Sequence, residues 1–375
     1  MDSTVPDIVF NKKGYCNYCT NFKDKYLSNK SESETLKSNV LQKIIKDIKN
    51  VNSKKKYGCV IGLSGGVDSA WAMVRAIELG LNPLVIHLDN GWNSELAQNN
   101  ISNLVSHFNV DLITYVINWE EYRALMQSFF DADVIDIELL YDNAIQAILY
   151  KYANKYGLKH ILAGTNTSTE GMMMPSTWNW FKLDALNIRS IAKKSGLKLK
   201  TMPIIGVFKW IYFEYIKRIR YVSFLDLEDY RKEESLKILK QKYGFKPYPY
   251  KHYESVFTRF YQGYILPKKF NVDKRRLHFS NLVVTEQIER KEALQDLIKD
   301  PFPNKQILNE DIDYFLKKMN WSSSDLEEYL NRPETLHSVF PSEKNLFFFI
   351  KDNIKPLISN ISKRFSKNIY AVNTN

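Results

Sequence analysis

Six consecutive residues, Ser64-Gly65-Gly66-Val67-Asp68-Ser69, combine small size, hydroxyl donors and a carboxylate directly after the apolar run from Tyr57 to Leu63. An apolar strand that ends at paired glycines, with a helix beginning at Asp68-Ser69-Ala70-Trp71, presents backbone N–H groups at a helix N-terminus, the arrangement that binds phosphate. A Cβ at Gly65 or Gly66 would hold the backbone away from a pyrophosphate, and Ser64 and Ser69 add donors without bulk. No lysine follows the glycines at Walker spacing. The same residues also suit an ordinary glycine turn with an Asp-Ser helix start. The order strand, loop, helix favours the phosphate site.

Other residues carry weaker chemical signals. Cys16 and Cys19 form a single C-x-x-C, which supplies two of the four ligands zinc requires and equally suits a surface turn. Cys59, inside the apolar run, reads as a small core residue. Asp131, Asp133, Asp136, Glu138 and Asp142 are an acidic series of the kind that could serve Mg²⁺ and a triphosphate or remain a solvated loop. Glu170 and Asp184 flank an aromatic stretch, Trp178-Asn179-Trp180, and could hydrogen-bond the hydroxyls of a sugar, although aromatic clusters are commonly core. The densest basic segment holds Lys251, His252, Arg259, Lys268, Lys269, Lys274, Arg275 and Arg276, where arginine forks suit diphosphates.

The elements that must position these residues alternate in type. Strands are expected at 57–63, 83–88, 111–117 and 160–163, with helices over 68–73 onward, 94–108 and 145–156. Strands separated by helices of this length imply an α/β fold with a doubly wound parallel sheet. Ligands bind at the carboxyl ends of such strands. Three polar turns lie there: Ser64 to Ser69; Asp89-Asn90-Gly91-Trp92-Asn93; and Gly164-Thr165-Asn166-Thr167. Asp89 and Asn166, read alone, are equally turn and cap residues. An amphipathic helix is expected around Leu36 to Ile48 and another over Phe208 to Arg220, the latter suited to packing or partner docking and less to a membrane surface. Helices are expected again at 309–319, 323–330 and 345–361, with a frayed tail from Ser362. Four divisions follow: 1–56, a cysteine-containing segment with a leading helix; 57–205, the nucleotide domain; 206–300, a basic and aromatic substrate or partner region; and 301–375, a mainly helical C-terminal region.

Composition bounds the rest. The chain has 375 residues, with 53 basic against 42 acidic side chains and a formal charge of +11, which calls for an anionic partner without naming it. Three cysteines exclude a disulfide framework. No apolar run is long enough to span a bilayer, and no signal-peptide pattern opens the chain, so a cytoplasmic location is expected.

The hexapeptide resembles the S-G-G-x-D-S loop of the PP-loop ATP pyrophosphatases, enzymes that cleave ATP between its α and β phosphates to adenylate an oxygen. The segments Cys16 to Cys19, His87 to Ala97 and Gly164 to Glu170, followed by Lys251 to Ser255 and Thr258 to Phe270, resemble one branch of these proteins, the N-acetyl sugar amidotransferases of surface-polysaccharide biosynthesis. The likeness runs over about 2–300. It implies conversion of a sugar acetamido group to acetamidino, with ATP and Mg²⁺ activating the amide oxygen and ammonia replacing it.

The resemblance also implies partners and site residues. Ammonia would come from a separate glutaminase and a barrel subunit similar to those of imidazole glycerol phosphate synthase, since none of the three cysteines lies in a glutaminase elbow. Asp68, Ser64 and Glu170 are expected in catalysis, Asp68 also near Mg²⁺. ATP is expected at Ser64, Gly65, Gly66, Val67, Asp68, Ser69, His87, Asp89, Asn90, Gly164, Thr165 and Asn166. An N-acetyl sugar or nucleotide sugar is expected at Trp92, Asn93, Glu138, Asp142, Asp184, Lys251, His252, Arg259, Lys268 and Lys269. Relatives carry a further C-x-x-C ahead of the segment that begins this chain. Either this branch has lost a four-cysteine zinc site or the native protein starts earlier, the latter being favoured; zinc is expected only with that missing pair. Nucleic acid is not an expected partner. Two rival classes are a tRNA-thiolating PP-loop enzyme, against which no catalytic cysteine follows the loop, and a non-catalytic nucleotide-binding component of a polysaccharide complex.

Overall fold

The structure is a computed structural model, and it describes residues 1–31, 34–248 and 253–354. Lys251, His252 and the tail from Ser362 therefore lie outside the described residues. Its centre is a five-stranded sheet of β1 (Cys59–Gly62), β2 (Pro83–Asp89), β3 (Leu112–Val116), β4 (His160–Ala163) and β5 (Arg220–Ser223). The order is β3-β2-β1-β4-β5 and every pairing is parallel. The chain winds outward from β1 to β3 on one side and then returns to place β4 on the other. The switch point thus lies between β1 and β4, where α/β sheets bind ligands.

Alternation along the strands feeds two cores. Val60, Leu84, Ile86, Leu88 and Ile161 join one cluster, while Cys59, Ile61, Val85 and Leu162 join the opposite one. A parallel strand buried on both faces must be apolar throughout, which is why these runs show no polar alternation. Helices α1 (Asn17–Ser31) and α2 (Glu34–Asn52) precede the sheet. Then α3 (Val67–Glu78) links β1 to β2, α4 (Glu95–Phe108) links β2 to β3, and α5 (Trp119–Asp131) with α6 (Leu139–Lys155) lead to β4. Ser94 caps α4 by accepting from Ala97 N, and Asn118 caps α5 by accepting from Glu121 N. Beyond the sheet the described residues are mainly helical, and Phe315, Tyr329, Phe347 and Ile350 enter the same core as β1 and β2. No helix among the described residues is long and apolar enough to cross a membrane.

Three differences from the sequence reading have physical causes. Helix α6 begins at Leu139 rather than near Ile145, because Asp136 accepts from Leu139 N (3.1 Å) and opens the helix a turn and a half earlier. The segment Phe208 to Arg220 is not one helix. An α-turn, Val207–Ile211, widens into a π-turn, Tyr212–Ile216, and stops at Arg218, which takes a left-handed backbone (φ 54°). The chain then supplies β5, so the sheet extends past position 205, where the sequence division had ended it. Tyr221 and Val222 favour a strand, but the preceding aromatic periodicity ran into them.

Candidate functional site

The six-residue loop is braced from within. Leu63 N reaches Ile86 O (2.8 Å), which keeps the chain on the sheet one residue beyond β1. Ser69 Oγ accepts from Ser64 N (3.2 Å), sits 3.0 Å from Ser64 Oγ and donates to Gly66 O (3.1 Å), while Gly66 N donates to Ser64 Oγ. The two serines thus fix the loop before they serve any ligand. Gly65 is left-handed (φ +88°), and a Cβ there would lie 3.0 Å from the Cβ of Ala97, so only glycine fits. Gly66 is the N-cap of α3 and no side chain caps the helix, which leaves its first-turn N–H groups for an anion. Behind β4, Gly164 approaches so closely that a Cβ would stand 2.6 Å from the backbone carbon of Asp68.

Asp68, in the first turn, accepts from the hydroxyl of Tyr230, which is itself buried. A second tyrosine touches the loop backbone: Tyr248 OH donates to Gly65 O (2.9 Å). Its segment is clasped by buried Asn100, whose amide meets Lys246 O (2.9 Å) and whose oxygen accepts from Lys246 N (2.8 Å). Ser94 N bonds Glu254 O and Val256 N bonds Trp92 O, both at 2.9 Å, so the chain returns across the loop. Glu254 Oε1 then stands 3.8 Å from where a Cβ of Gly66 would be.

These elements enclose a cavity of about 440 Å³ between the ends of β1 and β4. Of the expected site residues, Ser64, Gly66, Val67, Asp68, Ser69, Gly164, Thr165 and Glu170 line it. The sequence reading missed Tyr141, Gln146, Tyr221, Lys232 and Tyr248, and it quoted Glu254 without assigning it a role. Gln146 and Lys232 make no hydrogen bond or ion pair among the described residues. Burial, opposed by a hydrogen bond with Thr165, pushes the Tyr221 hydroxyl up to about 12, so it is a neutral donor. Three carboxylates, Asp68, Glu170 and Glu254, and one ammonium, Lys232, line this cavity beside an anion-binding helix start. No three of the His, Cys, Asp and Glu side chains among the described residues are grouped to hold a metal by themselves.

The turn after β2 supports the loop from behind. His87 Nδ1 donates to Leu63 O (2.9 Å), which makes Nε2 the acceptor for Asn93 Nδ2 (3.0 Å), and burial lowers its pKa. Asp89 accepts from Gly91 N (2.8 Å) and Asn93 Nδ2 (3.1 Å), and Asn90 accepts from Trp92 N (3.2 Å). Trp92 has no exposed surface and packs among Trp119, Phe257, Tyr314 and Phe315. None of His87, Asp89, Asn90, Trp92 and Asn93, where ligand contacts are expected from the sequence, lines this cavity; their side chains build the turn and pack behind it. Asn166 likewise caps the turn Thr167–Glu170, accepting from Thr169 N (2.8 Å).

The polar residues expected to hold a sugar are engaged elsewhere. Asp184 is wholly buried as the N-cap of the helix Ala185–Lys194, accepting from Asn187 N, Glu343 N and Trp180 Nε1. Glu138 pairs with Lys274 (2.7 Å), and Asp142 shares Lys182 with buried Asp136. Asp131 accepts from Gln127, and Asp133 pairs with Lys269 and Arg332. Arg259 forks onto Asp311, and Lys269, with its side chain fully covered, donates to Tyr329 O and Arg332 O. Lys268 is exposed on Tyr264 OH. Two pairs, Lys269 with Asp133 and Lys274 with Glu138, join the basic segment to the acidic series, and most of the remaining charges find partners elsewhere in the protein, because buried charge must be paired.

Cys16 and Cys19 lie together where α1 begins, with Cys19 N 3.3 Å from Cys16 Sγ. The Cys19 thiol, hydrogen-bonded to Cys16, lowers the Cys16 pKa to about 6 against the opposing effect of burial. Cys59 is fully buried in β1, and burial raises its pKa.

Comparison with known proteins gives two family matches. Residues 38–209 match NAD synthase, and residues 254–353 match the C-terminal domain described as LPS biosynthesis protein WbpG-like. MJ1599, an uncharacterised protein of Methanocaldococcus jannaschii, is 36% identical over 78 residues, 19% of this chain and 28% of that protein. The chain thus spans little more than a quarter of the length of this relative. Among solved structures, the NMN synthetase of Francisella tularensis is 17% identical, covering 52% of this chain and 99% of its own, at a TM-score of 0.29. The NH3-dependent NAD synthetase of Campylobacter jejuni is 18% identical, covering 54% and 83%, at 0.28. The U34-tRNA thiolase NcsA of Methanococcus maripaludis is 14% identical, covering 78% and 89%, at 0.32. The S-G-G-V-D-S loop at the switch point thus lies in the stretch, β1 to β4, that is similar to NAD synthase, and the helical region beyond the sheet is similar to the C-terminal domain of WbpG-like LPS biosynthesis proteins.

Proposed function

We propose that this protein is an ATP-dependent amidotransferase that converts the acetamido group of an N-acetyl sugar, free or nucleotide-linked, to acetamidino. The observation that carries the reading is the cavity itself, in which an uncapped helix start, three carboxylates and a lysine with no ion pair among the described residues converge at the switch point. The helix start and Lys232 suit the polyphosphate of ATP. With three carboxylates facing the same space, a divalent cation shared with phosphate oxygens fits the donor set, Asp68 being its nearest protein ligand in this reading. Mg²⁺ would neutralise charge on the departing pyrophosphate.

The amide oxygen attacks the α-phosphorus of ATP, the bond to the β-phosphate breaks and pyrophosphate leaves. Ammonia then adds to the imidate carbon, a proton passes to Glu170, and the C–O bond breaks to release AMP. Adenylation is required because an amide oxygen is otherwise a very poor leaving group. Tyr248 and the chain at Glu254 cross the loop and would limit water, which would hydrolyse the activated intermediate.

Ammonia is supplied in this reading by a separate cytoplasmic glutaminase with its barrel subunit. Thiolation of tRNA would call for a catalytic cysteine, and none lines the cavity among the described residues. Product analysis by phosphorus NMR tests the reading. AMP and pyrophosphate should appear only with ATP, ammonium and an acetamido sugar together; ADP and phosphate, or turnover without the sugar, would overturn it.

A further inference from the structure

The segment 207–218 has two apolar faces, and the described residues cover only one. Trp210 is buried, and Phe213 stacks on Tyr150 with ring centroids 5.4 Å apart. On the other side Phe208, Tyr212 and Ile216 follow one another at every fourth residue and are 69%, 42% and 68% exposed. A surface helix of a globular protein ordinarily turns polar residues outward. Here three apolar side chains stand in line on the outside, none required by the core.

Glu343 is engaged at the start of the segment, where its carboxylate accepts from the backbone of Val207, while the charges gathered at its end are positive. Lys217 and Arg218 close the segment, with the Lys217 ammonium 5.3 Å from the Tyr212 ring centre. Lys159 donates to Lys217 O (2.6 Å), and Lys55 donates to Gly157 O (2.7 Å) two residues earlier in the chain than Lys159. None of these four cations forms an ion pair among the described residues. Desolvation, and after it the neighbouring Lys55, Lys217 and Arg218, holds the Lys159 ammonium below the ordinary lysine value. The one acidic residue of the segment, Glu214, is turned away to accept from Tyr150 OH.

We infer that this face, Phe208, Tyr212 and Ile216 with the cation cluster of Lys55, Lys159, Lys217 and Arg218 at its end, is a docking surface for an anionic lipid membrane. Aromatic and aliphatic side chains enter the headgroup boundary, while unpaired lysine and arginine meet acidic headgroups; either signal alone gives only weak attachment. A protein partner would need opposing carboxylates set against each cation, whereas a lipid surface offers diffuse negative charge that needs no register. The cations lie just ahead of β1, β4 and β5, at the strand-entry edge of the sheet. The cavity lies at the exit edge, so a protein seated this way keeps its nucleotide site open to solution.

Vesicle flotation of the full chain tests the inference, comparing phosphatidylcholine alone with phosphatidylcholine containing about one-third phosphatidylglycerol. Binding is expected only with the anionic lipid, and it should weaken as salt shortens the Debye length. Lys217→Gln with Arg218→Gln should weaken partitioning about 25-fold, at about fivefold per cation. Phe208→Ser with Ile216→Ser should weaken it by about tenfold or more, with circular dichroism and ATP turnover unchanged. Failure to bind anionic vesicles overturns the inference. So does undiminished binding by both double variants, as would follow if the lysine-rich tail carried it, or self-association of the wild type that the Phe208→Ser/Ile216→Ser variant abolishes.

Discussion

The edge of the sheet at β1 and β4 and the basic segment 259–276 are built from the same kinds of polar residue, yet they treat charge in opposite ways. At the sheet edge, Lys232 and Gln146 face the cavity without partners among the described residues, beside three carboxylates. In the basic segment every cation except the exposed Lys268 has its carboxylate: Arg259 with Asp311, Lys269 with Asp133, Lys274 with Glu138, Arg275 with Asp273 and Arg276 with Asp2. Basic density along a sequence therefore says where cations are, not whether they are free to bind. The helical region uses Lys269, Lys274 and Arg332 to fasten itself to Asp133 and Glu138, just ahead of α6.

The sharpest way to break this contrast is to remove a cation from the fastened set. Arg259 covers Asp311, a carboxylate that is 3% exposed, and also lies 4.6 Å from the Tyr253 ring centre. Arg259→Ala strands a buried charge and should cost about 3–5 kcal/mol of folding free energy. Denaturant titration measures it, and a change within experimental scatter would return Arg259 to the ligand role. The exposed Lys268 provides the control, since Lys268→Ala should change stability by no more than about 0.5 kcal/mol.

Next in size is a change on the open side. Asp68→Asn keeps an oxygen to accept from Tyr230, so the fold should persist while the charge is lost. Turnover should fall by about 10²–10³, the scale seen when one preorganised electrostatic contact is removed. Rates close to wild type, with unchanged circular dichroism, would reduce Asp68 to a residue that complements the helix dipole.

The pH dependence of stability separates the two regions again. Burial holds His337 down to a pKa of about 4, and the geometry explains why it must stay neutral. Its Nε2 accepts from Asp136 N (3.1 Å), and Nδ1 donates to Asn187 Oδ1 (2.9 Å). Above about pH 6.5 the imidazole is neutral in both folded and unfolded chains, and its effect on stability is nil. Between about 6.5 and 4 only the unfolded chain takes up the proton, so stability falls as pH falls, by up to about 3 kcal/mol. His337→Gln should flatten that slope in denaturant titrations run across the interval. An equally steep slope in the variant would assign it to other groups, among them His160, also lowered to about 4 by burial.

What the sequence made legible follows the same division. Helix and strand periods along 57–163 gave the parallel sheet, because local pattern and tertiary burial agree there: β4 lies at His160–Ala163 as expected, and Ser94 caps α4. The loop residues Ser64, Asp68, Ser69, Gly164 and Thr165 reached the cavity because a strand end and a helix start fix their positions by chain order alone. Lys232, Tyr230 and Tyr248 come to the loop from more than 160 residues away, and no spacing rule encodes such a contact. Trp92 and Asp184 misled for a different reason. Aromatic and acidic residues near a predicted site suit both ligand and core, and only burial distinguishes the two.

The smallest effect expected lies where the late region touches the loop. Tyr248 OH donates to Gly65 O, at the residue whose left-handed backbone shapes the cradle, and in turn accepts from Asn100 Nδ2 (3.2 Å). Holding that carbonyl outward fixes the plane of the 65–66 peptide and so the direction in which Gly66 N–H points. Tyr248→Phe removes one hydrogen bond while the ring stays, and Asn100 keeps its clasp on Lys246. One such bond is worth about 1 kcal/mol. The KM for ATP should therefore rise about fivefold, with kcat and melting temperature nearly unchanged, because once phosphate is bound the ligand itself holds the loop. A fall in melting temperature with KM constant would make Tyr248 a packing residue, and no change in either would mean that the serine brace of Ser64 and Ser69 orients the loop unaided.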